Sequence, residues 1–190
     1  VSPRRPAGES RAAILAAARE SFGNLGYQKT TIRLVARAAG VDPALVIQYF
    51  GTKDDLLAES LEMPVDLPAV LAGVEDAPDI GTEILRRALA AWDTPLVRDA
   101  VRGLLRTGLS HERAVPALRG LVTRAVLPLV QRLATDDRAE LRAALVGTTI
   151  GGLAMGRLLL EVPALTQTSA DELARAVGPT ITRYLVGELS

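Results

Sequence analysis

Residues 31–57 read Thr31-Ile-Arg-Leu-Val-Ala-Arg-Ala-Ala-Gly40-Val-Asp-Pro-Ala-Leu-Val-Ile-Gln-Tyr49-Phe50-Gly-Thr52-Lys53-Asp-Asp-Leu-Leu57. Ile32, Val35, Ala36 and Ala39 fall at i, i+3, i+4 and i+7, the spacing of one apolar helix face. Gly40 follows as a helix terminator, because it enters the left-handed region without opposition from a Cβ. Asp42-Pro43 then reads as an N-cap followed by Pro at the first helical position, where no backbone N–H is needed. A second short helix over about 43–49 turns Val46 and Phe50 inward. Two short helices joined by a Gly-containing turn form the helix-turn-helix plan, whose second helix enters the major groove of DNA.

Outward from this stretch the chain reads as helical. A first helix over about 10–25 buries Ile14, Leu15, Ala18, Phe22 and Leu25, and Gly26 stops it. Residues 1–9 are expected to form a flexible arm, with Arg4 and Arg5 either within reach of DNA or merely disordered. Thr52 caps a fourth helix, with Asp54 and Asp55 complementing its dipole. Pro64 and Pro68 end that helix, and residues 64–79, rich in Pro, Gly and acidic side chains, suggest a junction with room for a short helix near 68–73.

Further apolar stripes follow. One holds Ile80, Ile84, Leu85, Ala88, Leu89 and Trp92, the next Leu96, Val97, Ala100, Val101, Leu104 and Leu105. A long helix over about 112–134 has Pro128 as its expected kink. Asp136-Asp137 opens another long helix ending near Val162-Pro163. Ser169 through Glu172 resembles a capping box and opens a last helix, which Gly178-Pro179 should bend. The fold class expected is all-α, with an arm over 1–9, a helix-turn-helix domain over 10–62, a junction over 63–79 and a helical domain over 80–190.

Charge is distributed unevenly. The net charge is zero, yet residues 1–53 hold eight Lys/Arg against three Asp/Glu, while residues 54–190 hold fourteen against nineteen. A basic module on an acidic body suits a localised DNA-binding face. Lys29 and Lys53, the two lysines of the chain, both lie in the basic part. With one His and no Cys, Cys/His catalysis and multi-His metal sites are not expected. Neither a cofactor nor a catalytic activity is expected. Residues 1–10 are polar with two prolines, unlike a secretory signal, and the uncharged stretch between Arg142 and Arg157 is too short to span a bilayer. A cytoplasmic protein without a membrane partner is expected.

Residues 11–57 resemble the DNA-binding domain of the TetR (tetracycline-repressor-like) family of bacterial transcription regulators. The matching residues are Phe22, Gly26-Tyr27, Thr30-Thr31, Val35-Ala36, Ala39-Gly40-Val41, Tyr49-Phe50, Thr52-Lys53 and Leu56-Leu57. Ile47 departs, standing where the family usually has a Tyr. The resemblance implies a homodimer on a palindromic operator in double-stranded DNA, acting as a repressor released by a small-molecule effector. It places Pro43, Ala44, Leu45 and Ile47 toward the bases, where apolar side chains pack on thymine methyls but donate no hydrogen bond. Polar readout then falls to Arg33 and Gln48, while Thr31, Tyr49 and Lys53 match phosphate-holding positions. The resemblance also implies an effector pocket, for which helix faces suggest Trp92, Leu105, His111, Val122, Met155 and Leu159; an apolar lining would suit a lipophilic effector. His111 reads also as a helix-end residue, and Trp92 as core.

Gly147, Gly151, Gly152 and Gly156 lie in one helical stretch, where each Gly costs about 0.5–1 kcal/mol relative to Ala. Close packing within the chain would compensate for this, and so would a dimer seam of Gly147, Gly151, Gly152 and Met155 beside Val177, Ile181 and Tyr184. Two other functions remain open on the sequence: a ligand-independent DNA-organising protein of the same fold, and a helical protein-interaction module.

Overall fold

Helix α1 (Ala7–Lys29) is interrupted at Gly26, whose φ of 76° and ψ of 174° lie outside the helical region. The structure, a computed structural model, describes residues 6–108, 115–134 and 138–189. Among the described residues every regular element is helical. The helix expected to end at Gly26 thus resumes for one short turn, and Thr30, wholly buried, donates its hydroxyl to the Gly26 carbonyl at 2.8 Å. The start of α1 at Ala7 takes in part of the expected arm, and Arg4 and Arg5 lie outside the described residues. Leu25, expected in the core, is exposed.

The helices α2 (Ile32–Ala39) and α3 (Pro43–Phe50) follow within a residue of the expected bounds, and α4 (Lys53–Ser60) starts after the Thr52 cap as expected but ends well ahead of Pro64. Ile14, Ala18 and Phe22 of α1, Val35 and Ala36 of α2, Val46 of α3 and Leu56 and Leu57 of α4 are sealed from solvent. Together these eight side chains form one small core, at roughly 1.5–3 kcal/mol for each large residue enclosed. Arg19 ties α1 to the end of α4 by donating to the carbonyls of Ser60 at 3.2 Å and Glu62 at 3.3 Å.

The described chain divides into two compact units, one from Val1–Pro64 and Asp99–Ala117, the other from Val65–Arg98 and Leu118–Ser190. The first differs from the chain-order domains expected above, because α7 (Pro95–Gly108) brings residues 99–108 onto α1. Glycine permits this approach: a Cβ on Gly23 would lie 3.1 Å from the Asp99 carbonyl oxygen and 3.5 Å from the Gly103 nitrogen. Arg106 adds a hydrogen bond to the Asn24 carbonyl at 2.7 Å. Val97, Ala100, Val101, Leu104 and Leu105 are buried as expected, but Leu96 is 45% exposed.

The second unit contains α5 (Leu67–Val70), α6 (Ile80–Trp92), α8 (Val115–Leu121) in part, α9 (Leu127–Leu133), α10 (Ala139–Ala154), α11 (Pro163–Thr166) and α12 (Ala170–Val186). Helices α6 and α12 cross with their backbones nearly touching. A Cβ on Gly178 would lie 2.1 Å from Thr82 Oγ1, and one on Gly81 would lie 2.2 Å from the Gly178 carbonyl oxygen. Asp79 sits over the crossing. It caps α6, accepts from Thr82 Oγ1 at 2.6 Å and accepts from the Thr182 hydroxyl, which itself accepts from the Gly81 N–H at 2.9 Å. Arg142 on α10, 5% exposed, donates to the Tyr184 carbonyl on α12 at 2.9 Å.

A π-helical segment, Val122–Val126, lies just ahead of Pro128, where a kink is expected. A proline ring crowds the carbonyl four residues back and removes a helical donor, so an extra residue in the turn relieves both. A second π-helical segment, Met155–Leu159, extends α10. Asp136 and Asp137 lie outside the described residues. Ser169 caps α12 by accepting from the Glu172 N–H at 3.2 Å, and the helix runs on through Pro179.

Candidate nucleic-acid interface

The helix-turn-helix is held by local hydrogen bonds at each joint. Thr31 Oγ1 accepts from the Leu34 N–H at 3.1 Å and starts α2. Gly40, at φ 67° and ψ 37°, ends it: Val41 N–H donates to Ala36 O at 3.0 Å and Gly40 N–H to Arg37 O at 3.2 Å. This pair of bonds is the Schellman closure, which satisfies carbonyls that the helix end would strand. Asp42 Oδ1 then accepts from the Ala44 N–H at 2.8 Å, with Pro43 as the first helical residue of α3.

The resulting α3 has two distinct sides. Val46 and Phe50 are buried, while Ala44, Ile47 and Gln48 face solvent and Pro43, Leu45 and Tyr49 are half-buried. Ile47 is 55% exposed, so it is not packed beneath α1. Tyr49 meets Phe50 edge-on, ring centroids 6.3 Å apart. Arg33 and Thr31 are exposed on the preceding helix and its cap. The candidate base-reading and phosphate-holding residues therefore lie in one small unit, on α2, α3 and the start of α4.

Gly51, at φ 76°, turns the chain from α3 into α4. Thr52 and Asp55 close a reciprocal capping box, Thr52 N–H donating to Asp55 Oδ2 and Asp55 N–H to Thr52 Oγ1, each at 3.1 Å. Lys53 begins α4, and its ammonium stands 4.0 Å from the centroid of the Tyr27 ring. Burial pulls the Lys53 pKa below its ordinary value, and the neighbouring Asp54 charge opposes that shift. The Tyr27 hydroxyl donates to Asp54, and the Tyr27 ring stacks on Phe22, centroids 6.2 Å apart. The sequence marks Tyr27 only through its Gly-Tyr motif, because Lys53 and Asp54 lie 26 and 27 residues onward. Arg11 is also placed here, its guanidinium 5.1 Å from the Phe50 centroid and paired with Glu59.

The other candidate residues are more scattered. Trp92, Met155 and Leu159 lie in the second unit, Trp92 buried and the other two half-buried. Leu105 is buried in the first unit. His111 and the Val122 side chain lie outside what is described. Of the seam residues, Gly147, Gly151, Met155, Val177 and Tyr184 are half-buried and Gly152 is exposed. Ile181 is a correction: at 0% exposure it belongs to the core of its own unit and has no side-chain surface to offer a second copy. Close packing within the chain is likewise not what compensates Gly151 and Gly152, since a Cβ on either meets nothing within 4 Å.

Two family models match this chain. Residues 14–60 match the family described as "Bacterial regulatory proteins, tetR family", and residues 79–185 match "Tetracyclin repressor-like, C-terminal domain". The HTH-type transcriptional repressor Rv3405c of Mycobacterium tuberculosis is 30% identical over 179 residues, 93% of this chain and 89% of that protein. The HTH-type transcriptional regulator HbdR of Aromatoleum sp. is 45% identical over 58 residues, 30% of this chain and 25% of that protein. A solved TetR-family regulator from Streptomyces coelicolor A3 superimposes with a TM-score of 0.67 at 30% identity, covering 97% of this chain and 99% of that one. No described helix is long and apolar enough to cross a membrane. Members of this family bind DNA through such a helix-turn-helix, and they usually dimerise and take small-molecule effectors. The chain belongs to the TetR family of DNA-binding bacterial transcription regulators.

Proposed function

We propose that this chain is a cytoplasmic, homodimeric repressor that occupies a palindromic operator and leaves it when a small lipophilic effector binds its C-terminal helical part. The observation that carries the reading is the outward side of α3, where Ala44, Ile47 and Gln48 are exposed on a helix anchored by Val46 and Phe50. In this reading Pro43, Ala44, Leu45 and Ile47 pack on base methyls, and Arg33 and Gln48 make the hydrogen-bonding base contacts. Thr31, Tyr49 and Lys53 grip phosphates and set register without reading sequence.

A twofold protein presents two such heads, so its half-sites lie about one helical turn apart or a multiple of it. The seam joining the copies uses Gly147, Gly151, Gly152, Met155, Val177 and Tyr184, and the open space around Gly151 and Gly152 supports it. Repression rather than activation is supported by the description of the similar M. tuberculosis protein as a repressor. An effector releases DNA only by binding the free and DNA-bound arrangements unequally.

Footprinting of the purified chain on fragments of its source genome tests this reading. The expected result is a twofold-symmetric protected site overlapping one or a few promoters, with more transcript when the gene is deleted. Scattered protection at many sites without symmetry, or no protection at low salt, overturns it.

A further inference from the structure

We propose that Tyr27 is a positioning residue for phosphate recognition: its ring carries the Lys53 ammonium, and its hydroxyl engages the Asp54 carboxylate beside that ammonium. The inference rests on the reading of Lys53 as a phosphate contact.

Lys53 occupies an awkward place for a phosphate ligand. It is the first residue of α4, and Asp54 and Asp55 follow directly. Carboxylates are favoured at a helix start by the dipole. Here they also put two anions beside the cation that is to meet DNA, where either could compete with phosphate for it.

Each carboxylate is engaged by another group. Asp55 Oδ2 accepts from the Thr52 N–H at 3.1 Å and from the Thr52 hydroxyl at 2.6 Å. Asp54 Oδ1 accepts from the Tyr27 hydroxyl. The same Tyr27 supplies the surface on which the lysine rests, Nζ standing 4.0 Å from the ring centroid and well inside the range of about 6 Å for a cation–π contact.

The ring is itself fixed. It lies 9° from parallel with Phe22, which is wholly enclosed, and Gly26 breaks α1 immediately before it. A four-carbon ammonium stem has much rotamer freedom to lose on binding. A platform that restricts the stem beforehand reduces the loss left for the moment of DNA contact.

Two measurements test the proposal. Lys29→Arg leaves Lys53 as the single lysine, so its ε-methylene gives one lysine signal in a carbon–proton NMR spectrum. That signal is expected upfield of an unstructured lysine, from the ring current of Tyr27, and Tyr27→Leu should return it to the unstructured position. An ε-methylene at the unstructured position before mutation overturns the platform, even if Tyr27→Leu fails to fold.

The second measurement is a mutant cycle on binding to a random-sequence duplex across a salt series. Lys53→Ala should lower the salt slope by about one unit. Tyr27→Leu should weaken binding about threefold, the scale of an exposed cation–π contact, and should add nothing in the Lys53→Ala background. Tyr27→Phe keeps the ring but removes the hydroxyl that engages Asp54, so it too should weaken binding, and Asp54→Asn should restore that variant. An equal Tyr27→Leu loss with or without Lys53 shows a merely structural residue and overturns the proposal. A Lys53→Ala variant with unchanged affinity and slope overturns the phosphate reading itself, whatever Tyr27 does.

Discussion

The turn between α2 and α3 and the crossing of α6 with α12 both depend on glycine, for opposite reasons. At Gly40 the backbone adopts φ 67°, and a Cβ would meet nothing within 4 Å. At Gly178 the backbone is helical, and a Cβ would lie 2.4 Å from Thr82 Cα. The first glycine is needed for its dihedral freedom and the second for its missing volume. Only the first need leaves a local trace in sequence, because the residues that complete the turn are its immediate neighbours. Gly178 is answered by Gly81 and Thr82, nearly a hundred residues away.

The largest expected effect is therefore at the crossing. Gly178→Val forces α6 and α12 apart and should cost about 3 kcal/mol, the upper range for overpacking, read by chemical denaturation. Gly40→Ala, which strains one dihedral without a clash, should cost about 1 kcal/mol. Equal losses would mean that the crossing relaxes as easily as a turn. Gly151→Leu completes the set: open space awaits the side chain within one chain. Its packing should survive, while sedimentation should show weaker self-association if the face is the dimer seam.

That contrast explains what could be read in advance. The caps at Thr31, Asp42 and Thr52 and the stop at Gly40 each involve residues within five positions, so α2, α3 and the start of α4 are legible almost to the residue. The apolar period likewise marks Ile80, Ile84, Leu85, Leu89 and Trp92 as one buried face. Period does not say which long-range partner a face meets. Ile181 therefore shares a period with the expected seam although it is core, and nothing in the period marks the close approach of Gly81 to Gly178. Leu96 shows a related limit, since a stripe's first residue can overhang the core it points toward. In the helix-turn-helix unit the family pattern marks Lys53 and Arg33, but the contact of Lys53 with the Tyr27 ring spans 26 residues.

The crossing also has a charge-dependent clasp. Hydrogen bonds from Thr182 and Thr82 hold the Asp79 carboxyl below its ordinary pKa, against the smaller opposing effect of burial. A depressed folded pKa contributes stability above the unfolded value, near 4, and loses it as pH falls through the lower folded value. Asp79→Ala should cost about 1–2 kcal/mol at neutral pH, the scale of a lost N-cap. Asp79→Asn can still cap the helix, so it should lose less at neutral pH and flatten the fall in stability below about pH 4. A parent-like acid limb in Asp79→Asn would place the pH sensitivity elsewhere.

The smallest effect lies on the outward side of α3, at Ile47. Its 55% exposure leaves apolar surface that the fold does not use. An apolar side chain there gains from a thymine methyl and gains nothing from the same position without one. Replacing thymine by uracil removes that methyl and keeps base pairing. The expected loss is about 0.8 kcal/mol per contacted methyl, by analogy with a buried methylene, confined to one or two positions of each half-site. Ile47→Ala should bind thymine and uracil sites nearly alike, and it should melt within a degree or two of the parent because the side chain supports little of the core. Were Ile47 to serve the fold rather than the groove, the order would reverse: uracil scanning would give the same profile for parent and variant, and the melting temperature would fall.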